Sequence, residues 1–319
     1  MVKKLDFILR LIVILFPLVT GVFLSNYGID KLNEAYFFSK KPWTAPYGFL
    51  VFSSMPMQRV EVHFWLDTIS IKDNTAGVCL SFHFFLEMNS TVTGEQVVGF
   101  QIPYKVKLDV LNVSSGPEEY PVQISEQKMI FIEEPPLKPP AEEKTMTTII
   151  YCKFIASPEA TEYHGNMFFT WEGLIVRESF STYALTIPFA NSEETSHKKI
   201  QESFPSAYIY AVGIRIVVGL SLPQDSEFKG SITPPNTELI QAGMASRQLL
   251  WSFDNRPIMG MEGTSSNFVA NLELQSEAER RDRLLFYSGI YMGLGVSLVF
   301  SGLYEALKTI GELKKMKND

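Results

Sequence analysis

The side chains in this 319-residue chain that are able to do chemistry are few and scattered. Of the four histidines, His63 and His83 fall in stretches that read as strands, and His164 and His197 in stretches that read as loops. Cys79 and His83 share one face of the strand-like run GVCLSFHFF. Four residues of extended chain at about 3.3 Å each separate them by about 13 Å, too far to hold one metal ion. A site would need a distant residue, and the sequence alone assigns no metal ligand.

Carboxylates occur in adjacent pairs, Glu118 with Glu119, Glu133 with Glu134, Glu142 with Glu143 and Glu193 with Glu194. Neighbours on an extended chain point to opposite sides, so no pair is by itself a general acid and base. The loop SFDNRPIMGMEGTSSN gathers Asp254, Asn255, Arg256 and Glu262 among glycines and two methionines, and is the candidate binding loop for a partner or a cation. A long turn between two strands is the plain alternative. Nucleophile-elbow, zinc-protease, phosphate-loop and dinucleotide signatures are missing, so no catalytic residue and no cofactor is expected. Asn89 (NST) and Asn112 (NVS) fit the glycan acceptor pattern.

A second kind of site is built from small residues. Within SGIYMGLGVSLVFSG, Gly289, Gly293, Ser297 and Ser301 recur every fourth residue, and Ser288, Gly295 and Gly302 every seventh. At 100° per residue these two sets lie about half a turn apart on a helix. Notches of this kind admit close helix neighbours and gain van der Waals contact there. One notch suits the chain's own first helix, which offers Thr20, Gly21 and Ser25, and the other a second polypeptide.

Two segments supply the helices. Leu5 to Leu24 is apolar apart from Asp6 and Arg10, and Leu284 to Tyr304 carries no charge. At 1.5 Å per residue each crosses a hydrocarbon core of about 30 Å. No pair of small residues marks a cleavage site after the first, which reads as an uncleaved signal anchor. Ser276 and Glu279 form a capping-box pattern ahead of the second. Lys3, Lys4 and Arg10 at one end and Lys308, Lys314, Lys315 and Lys317 at the other place both termini in the cytoplasm. Arg280, Arg281 and Arg283 pull the other way and fall at the opposite membrane interface. The expectation is a two-pass protein of the cell membrane with its large domain extracytoplasmic. Ala207 to Leu222 is apolar but carries Arg215 at its centre and reads as a buried strand rather than a third span.

Between positions 11 and 282 stand 20 basic and 31 acidic residues, a net charge of −11 that disfavours nucleic acid and anionic headgroups. This body is rich in aromatic and β-branched residues. MQRVEVHFWLDTISI alternates Val60, Val62, Phe64 and Leu66 against Arg59, Glu61, His63 and Trp65, the pattern of a half-buried strand. The fold expected is mainly β, an antiparallel β-sandwich ectodomain in one large or two smaller domains, flanked by the transmembrane helices. The divisions are a cytoplasmic N-terminus at 1–4, a span at 5–24 and a linker at 25–44. A β-rich part follows at 45–132, then a Pro-rich connector at 133–145 and a second β-rich part at 146–275. The juxtamembrane and transmembrane helix takes 276–305 and a basic cytoplasmic tail 306–319. Two cysteines exclude a disulfide scaffold, and Cys79 and Cys152 are either bridged across adjacent strands or free.

These features point to an accessory or assembly subunit that works through helix packing and ectodomain contacts. Its partners are the lipid bilayer and another membrane protein or copies of itself. An extracytoplasmic ligand-binding or sensor protein is the alternative, and a membrane-tethered hydrolase a third reading without a motif. Two spans around a large outer β-domain resemble, in layout, the flippase beta subunits, whose disulfides two cysteines cannot supply.

Overall fold

The computed structural model describes residues 2–36, 47–88, 92–116, 120–134, 145–190, 196, 198–211, 213–232, 238–243, 248–255 and 266–318. The chain opens on helix α1 (Val2–Ala35). Strands β1 (Leu50–Ser53), β2 (Met57–Ser70), β3 (Thr75–Leu86), β4 (Gly94–Pro103), β5 (Lys105–Ser115) and β6 (Tyr120–Pro121) follow. Next come β7 (Ile124–Glu134), β8 (Thr145–Ala156), β9 (Glu162–Glu172), β10 (Ile175–Arg177) and β11 (Thr182–Phe189). A one-and-a-half-turn helix α2 (Lys198–Ser203) precedes β12 (Tyr208–Tyr210), β13 (Ile214–Ser221), β14 (Ser226–Ile232), β15 (Glu238–Gly243), β16 (Gln248–Asn255) and β17 (Ser266–Leu274). Helix α3 (Gln275–Asn318) closes the chain. The protein is thus mostly β with apolar helices at both ends.

Two compact units result. One comprises Met1–Ser39, Glu178–Ser181 and Leu274–Asp319, and the other Lys40–Arg177 and Thr182–Glu273. The β unit holds three sheets, ordered β12-β1-β4-β8-β7, β10-β11-β17-β14 and β15-β16-β13-β2-β3-β9-β5-β6. Antiparallel pairing joins β4 to β1 and β8, β11 to β10 and β17, β3 to β2 and β9, and β13 to β16, whereas β13 runs parallel to β2. Strands on either side of 133–145 share sheets, β4 with β8 and β3 with β9, so the two parts expected there are interleaved rather than separate.

Period-two burial is regular from Val60 to Leu66 of β2 and along β3 and β9, where every second side chain is inside. The inner face is aromatic. Phe64 of β2 lies 4.8 Å from Phe49 edge-on, 5.9 Å from Phe189 and 6.0 Å from Trp171, centroid to centroid. Phe100 of β4 meets Phe82 of β3 at 5.1 Å. The buried Trp171 indole donates to the Pro103 carbonyl at 2.7 Å, so the polar edge of the largest core ring has its partner.

Several sequence expectations change. The run QVVGFQIPYKVKLDVLNV from Gln96 to Val113, which by its β-branched and aromatic residues reads as one strand, is two strands, because Tyr104 takes a positive φ of 69° and turns the chain between β4 and β5. The run from Ala207 to Leu222 is likewise split at Gly213, whose φ of 75° suits a residue without a Cβ, and its halves enter different sheets. The linker expected at 25–44 is helical as far as Ala35, and the tail expected from 306 continues α3. Helix α3 begins at Gln275, directly after β17 and one residue before the expected cap Ser276.

Both cysteines are free and lie in different sheets, Cys152 fully buried and Cys79 partly so. Burial pushes the Cys152 thiol up to about 12 and, less far, that of Cys79. Raised values keep both protonated at neutral pH, and the thiolate is the reactive form. In the folded protein at pH 8, maleimide should label Cys79 slowly and Cys152 not at all, whereas denaturant should expose both; mass spectrometry reads the difference. Phe64→Ala removes a ring at the meeting point of this core and should cost about 3–5 kcal/mol of stability, read as a lowered denaturant midpoint.

Candidate functional site

Two places in the molecule gather the residue types singled out in the sequence. The first is the helix pair. Helices α1 and α3 run antiparallel, with Arg10 paired to Glu312 at one end and Glu34 to Arg280 at the other, both at 2.9 Å. Their seam is made of small residues. A Cβ placed on Gly21 would lie 2.6 Å from the Gly295 carbonyl, and one on Gly302 2.7 Å from the Leu18 side chain. Ser288 is buried and its hydroxyl donates to the Gly28 carbonyl at 2.8 Å. Ser288 therefore faces Gly28, Gly295 faces Gly21 and Ser25, and Gly302 faces Leu18 and Ile14, and the spacing of seven keeps them on one side with a drift of about 20° per step. Tyr27 and Tyr291 close the seam edge-to-face at 5.0 Å.

The set spaced by four lies elsewhere. Nothing comes within 4 Å of a Cβ built on Gly289 or Gly293, and Ser297 and Ser301 are exposed. Ser297 turns its hydroxyl back to the Gly293 carbonyl at 2.8 Å. Among the described residues two helices are long and apolar enough to cross a membrane. Their outward side chains are large and apolar, Phe16, Phe23 and Phe300 each being 68% exposed.

Arg280, Arg281 and Arg283 stand in the first turns of α3. Arg280 pairs with Glu34 and lies over the Phe180 ring, and Arg281 donates to the Ser181 hydroxyl at 3.2 Å. Arg283 reaches Glu279 at 3.3 Å, one turn back on the same helix. In the candidate binding loop, Asp254 and Asn255 are the last residues of β16, opposite Arg215 and Ile214 in the ladder. Arg256 and Glu262 lie outside the described residues, as do Asn89 and His197.

The second place was not foreseen. On the outer face of the large sheet, strand registry aligns Glu61, His83, His164 and Ser114 across β2, β3, β9 and β5. The neighbouring row is His63, Ser81, Asn166 and Asn112. These eight residues line a cavity of about 310 Å3. Glu162 stands two residues before His164 and therefore on the same face. His164 thus belongs to a strand, not to a loop as the sequence suggested.

The geometry here is tight. His83 Nε2 and Glu162 Oε2 are hydrogen-bonded at 2.8 Å, and His164 Nε2 lies 3.7 Å from Glu162 Oε1. The two imidazoles face one another with centroids 3.8 Å apart. Beside them the Ser81 hydroxyl donates to Asn166 Oδ1 at 2.7 Å, and Glu61 is held by Arg59 and Arg215. Desolvation, opposed by the neighbouring Glu61 carboxylate and seconded by the Arg215 guanidinium, pushes His63 below the usual imidazole range and favours its neutral form. His83, Glu162 and His164 are the group among the described residues whose ligand atoms, all within 4.8 Å of one another, suit a metal ion. A period-two pattern carried back four residues from Asn166 would have put Glu162 and His164 on one strand face. The pairing of β3 with β9, 79 residues apart at His83 and Glu162, has no local signal.

No protein-family model and no curated protein matches the chain. Among solved structures, a Legionella pneumophila protein described as nutrient binding aligns at TM-score 0.38 and 10% identity over 74% of each chain. An M1 zinc metallopeptidase from Deinococcus radiodurans aligns at TM-score 0.31 and 5% identity, and yeast LTA4 hydrolase at 0.30 and 6%. They cover 71% and 73% of this chain but only 42% and 31% of the two enzymes. Similarity at this level assigns neither a family nor an activity, and no residue role is carried over.

The two small-residue sets should respond differently to bulk. Gly295→Ile forces the helix backbones apart and should cost about 1–3 kcal/mol of helix-pair stability in detergent micelles. Gly293→Ile meets open space and should leave that stability unchanged, both being read by titration with a denaturing detergent.

Proposed function

We propose that this is a two-pass membrane protein whose β-rich domain, an antiparallel sandwich held outside the cytoplasm, serves as an accessory or assembly subunit for another membrane protein or for further copies of the chain. The observation that carries the reading is the division of labour on α3. Its Ser288, Gly295 and Gly302 are occupied by α1, while the notch at Gly289 and Gly293 on another face has no occupant among the described residues.

Independent support comes from the outward side chains. Phe16, Phe23, Phe286, Phe300 and Leu307 are each at least 66% exposed, an apolar surface too extensive for water but suited to lipid. Lipid alone gains nothing from a notch of bare backbone between such side chains, whereas a helix approaching there gains dispersion contact. The basic residues at both chain ends orient both termini to the cytoplasm.

The test is the composition of the intact particle after extraction from its native membrane in a mild detergent. A second polypeptide in fixed ratio, or a multiple of this chain, is expected for the wild type and for Gly311→Ala, where an added Cβ meets open space. Gly293→Ile should release it without unfolding the β domain. A monomer of the wild type in every mild detergent tried, with full secondary structure by circular dichroism, would refute the assembly reading.

A further inference from the structure

We infer that His83, Glu162 and His164 form a binding site for a borderline divalent transition ion, with Zn2+ as the reference ion and one coordination position open to the cavity on the outer face of the large sheet. The ligand types are the first reason. Two imidazoles and one carboxylate form a donor set suited to zinc, whereas calcium and magnesium favour all-oxygen sets.

Distance is the second. Tetrahedral bonds of 2.0–2.1 Å place neighbouring ligand atoms about 3.3 Å apart. The two edges at Glu162, 2.8 Å and 3.7 Å, lie on either side of that value, and all three ligand atoms fall within 4.8 Å of one another, so side-chain adjustment without backbone movement brings them onto an ion. At 3.7 Å the contact from His164 to Glu162 is too long for a hydrogen bond. His164 Nε2 is shielded from solvent and has no hydrogen-bond partner among the described residues. A metal ion would satisfy that nitrogen's lone pair.

Placement is the third. The ligands sit on β3 and β9, adjacent strands tied by an unbroken ladder from Thr75 opposite Glu172 to Phe85 opposite Glu162. Rigid strands hold the donors before an ion arrives, which lowers the ordering cost of binding. Side-chain exposures of 26%, 17% and 24% keep the three reachable from solvent yet partly desolvated. A plain ion pair between His83 and Glu162 accounts for one imidazole; it leaves unexplained a second stacked at 3.8 Å, which would repel the first if both were charged.

Binding uses the Nε2 lone pair of each ring. The proton now shared between His83 Nε2 and Glu162 Oε2 moves to His83 Nδ1, if the ring is neutral, or leaves to solvent, if it is charged. The open position takes water or a donor atom from a ligand in the cavity, where Ser81, Asn112 and Asn166 offer hydrogen bonds. The guanidinium of Arg59, over the Phe85 ring, and that of Arg215 oppose a cation, but both are paired with Glu61.

The experiment uses the full-length, tag-free protein in detergent, stripped with a chelator and dialysed, then titrated with Zn2+ by calorimetry and with Co2+ by visible absorption. One ion per chain is expected, with the intense ligand-field bands of a low-coordinate Co2+ that Zn2+ abolishes. His83→Ala and His164→Ala should each weaken binding by about a hundredfold or more, by the size of effects already seen for outer-shell changes. His63→Ala should stay within about twofold of wild type, since it is not a ligand. If the alanine variants fail to fold, the wild type still decides: Zn2+ should protect His83 and His164, but not His63, from diethyl pyrocarbonate. Absence of the Co2+ bands, absence of protection, or folded His83→Ala and His164→Ala proteins that bind as wild type would each overturn the site. None of these readouts depends on the transmembrane seam, so the assembly proposal stands or falls separately.

Discussion

The contact on which the β unit depends is that of the Phe64 ring with Phe49, Trp171 and Phe189. These four rings bring the large sheet together with the β1 and β11 regions, and Phe82 and Phe84 extend the layer to Phe100 of β4. Edge-on and offset rings of this kind add about 0.5–1.5 kcal/mol per pair to the burial they bring. Without that layer, strands that alternate in and out would have no inner side, and registry would lose its anchor.

Fixing the inner face also fixes the outer one. Because Val62 and Phe64 turn in, Glu61 and His63 must turn out, and the same holds for Ser81 and His83 around Phe82 and for Glu162, His164 and Asn166 around Tyr163 and Met167. Four strands so aligned stack polar residues in rows one pleat apart. The aromatic core thus determines that two histidines and a carboxylate converge. Their chemistry is a consequence of the same alternation that makes the fold.

The helix pair obeys a different constraint. In the membrane setting proposed for it, burial gives no advantage to one apolar contact over another, so close approach of backbones must supply the energy. Small residues every seven positions deliver this along one seam, with Ser288 adding a hydrogen bond to the Gly28 carbonyl. The same helix also carries a spacing of four, and no single neighbour can lie along both.

Much of this was legible in the sequence, because it rests on local periodicity. The alternation in β2, the apolar length of the two helices and the two small-residue sets all follow from spacing along a helix or strand of known rise. Turns were less legible: Tyr104 breaks a strand through a positive φ that a non-glycine residue does not advertise. What the tertiary structure alone decided is which strands lie side by side. β13 runs parallel to β2, and β3 pairs with β9 although five strands intervene in the sequence between them. Pairing across such separations is chosen by the whole core at once, through the burial of aromatic faces from distant strands, and leaves no mark in any short window. His83 and His164 therefore seemed isolated in the sequence, and only the sheet made them neighbours.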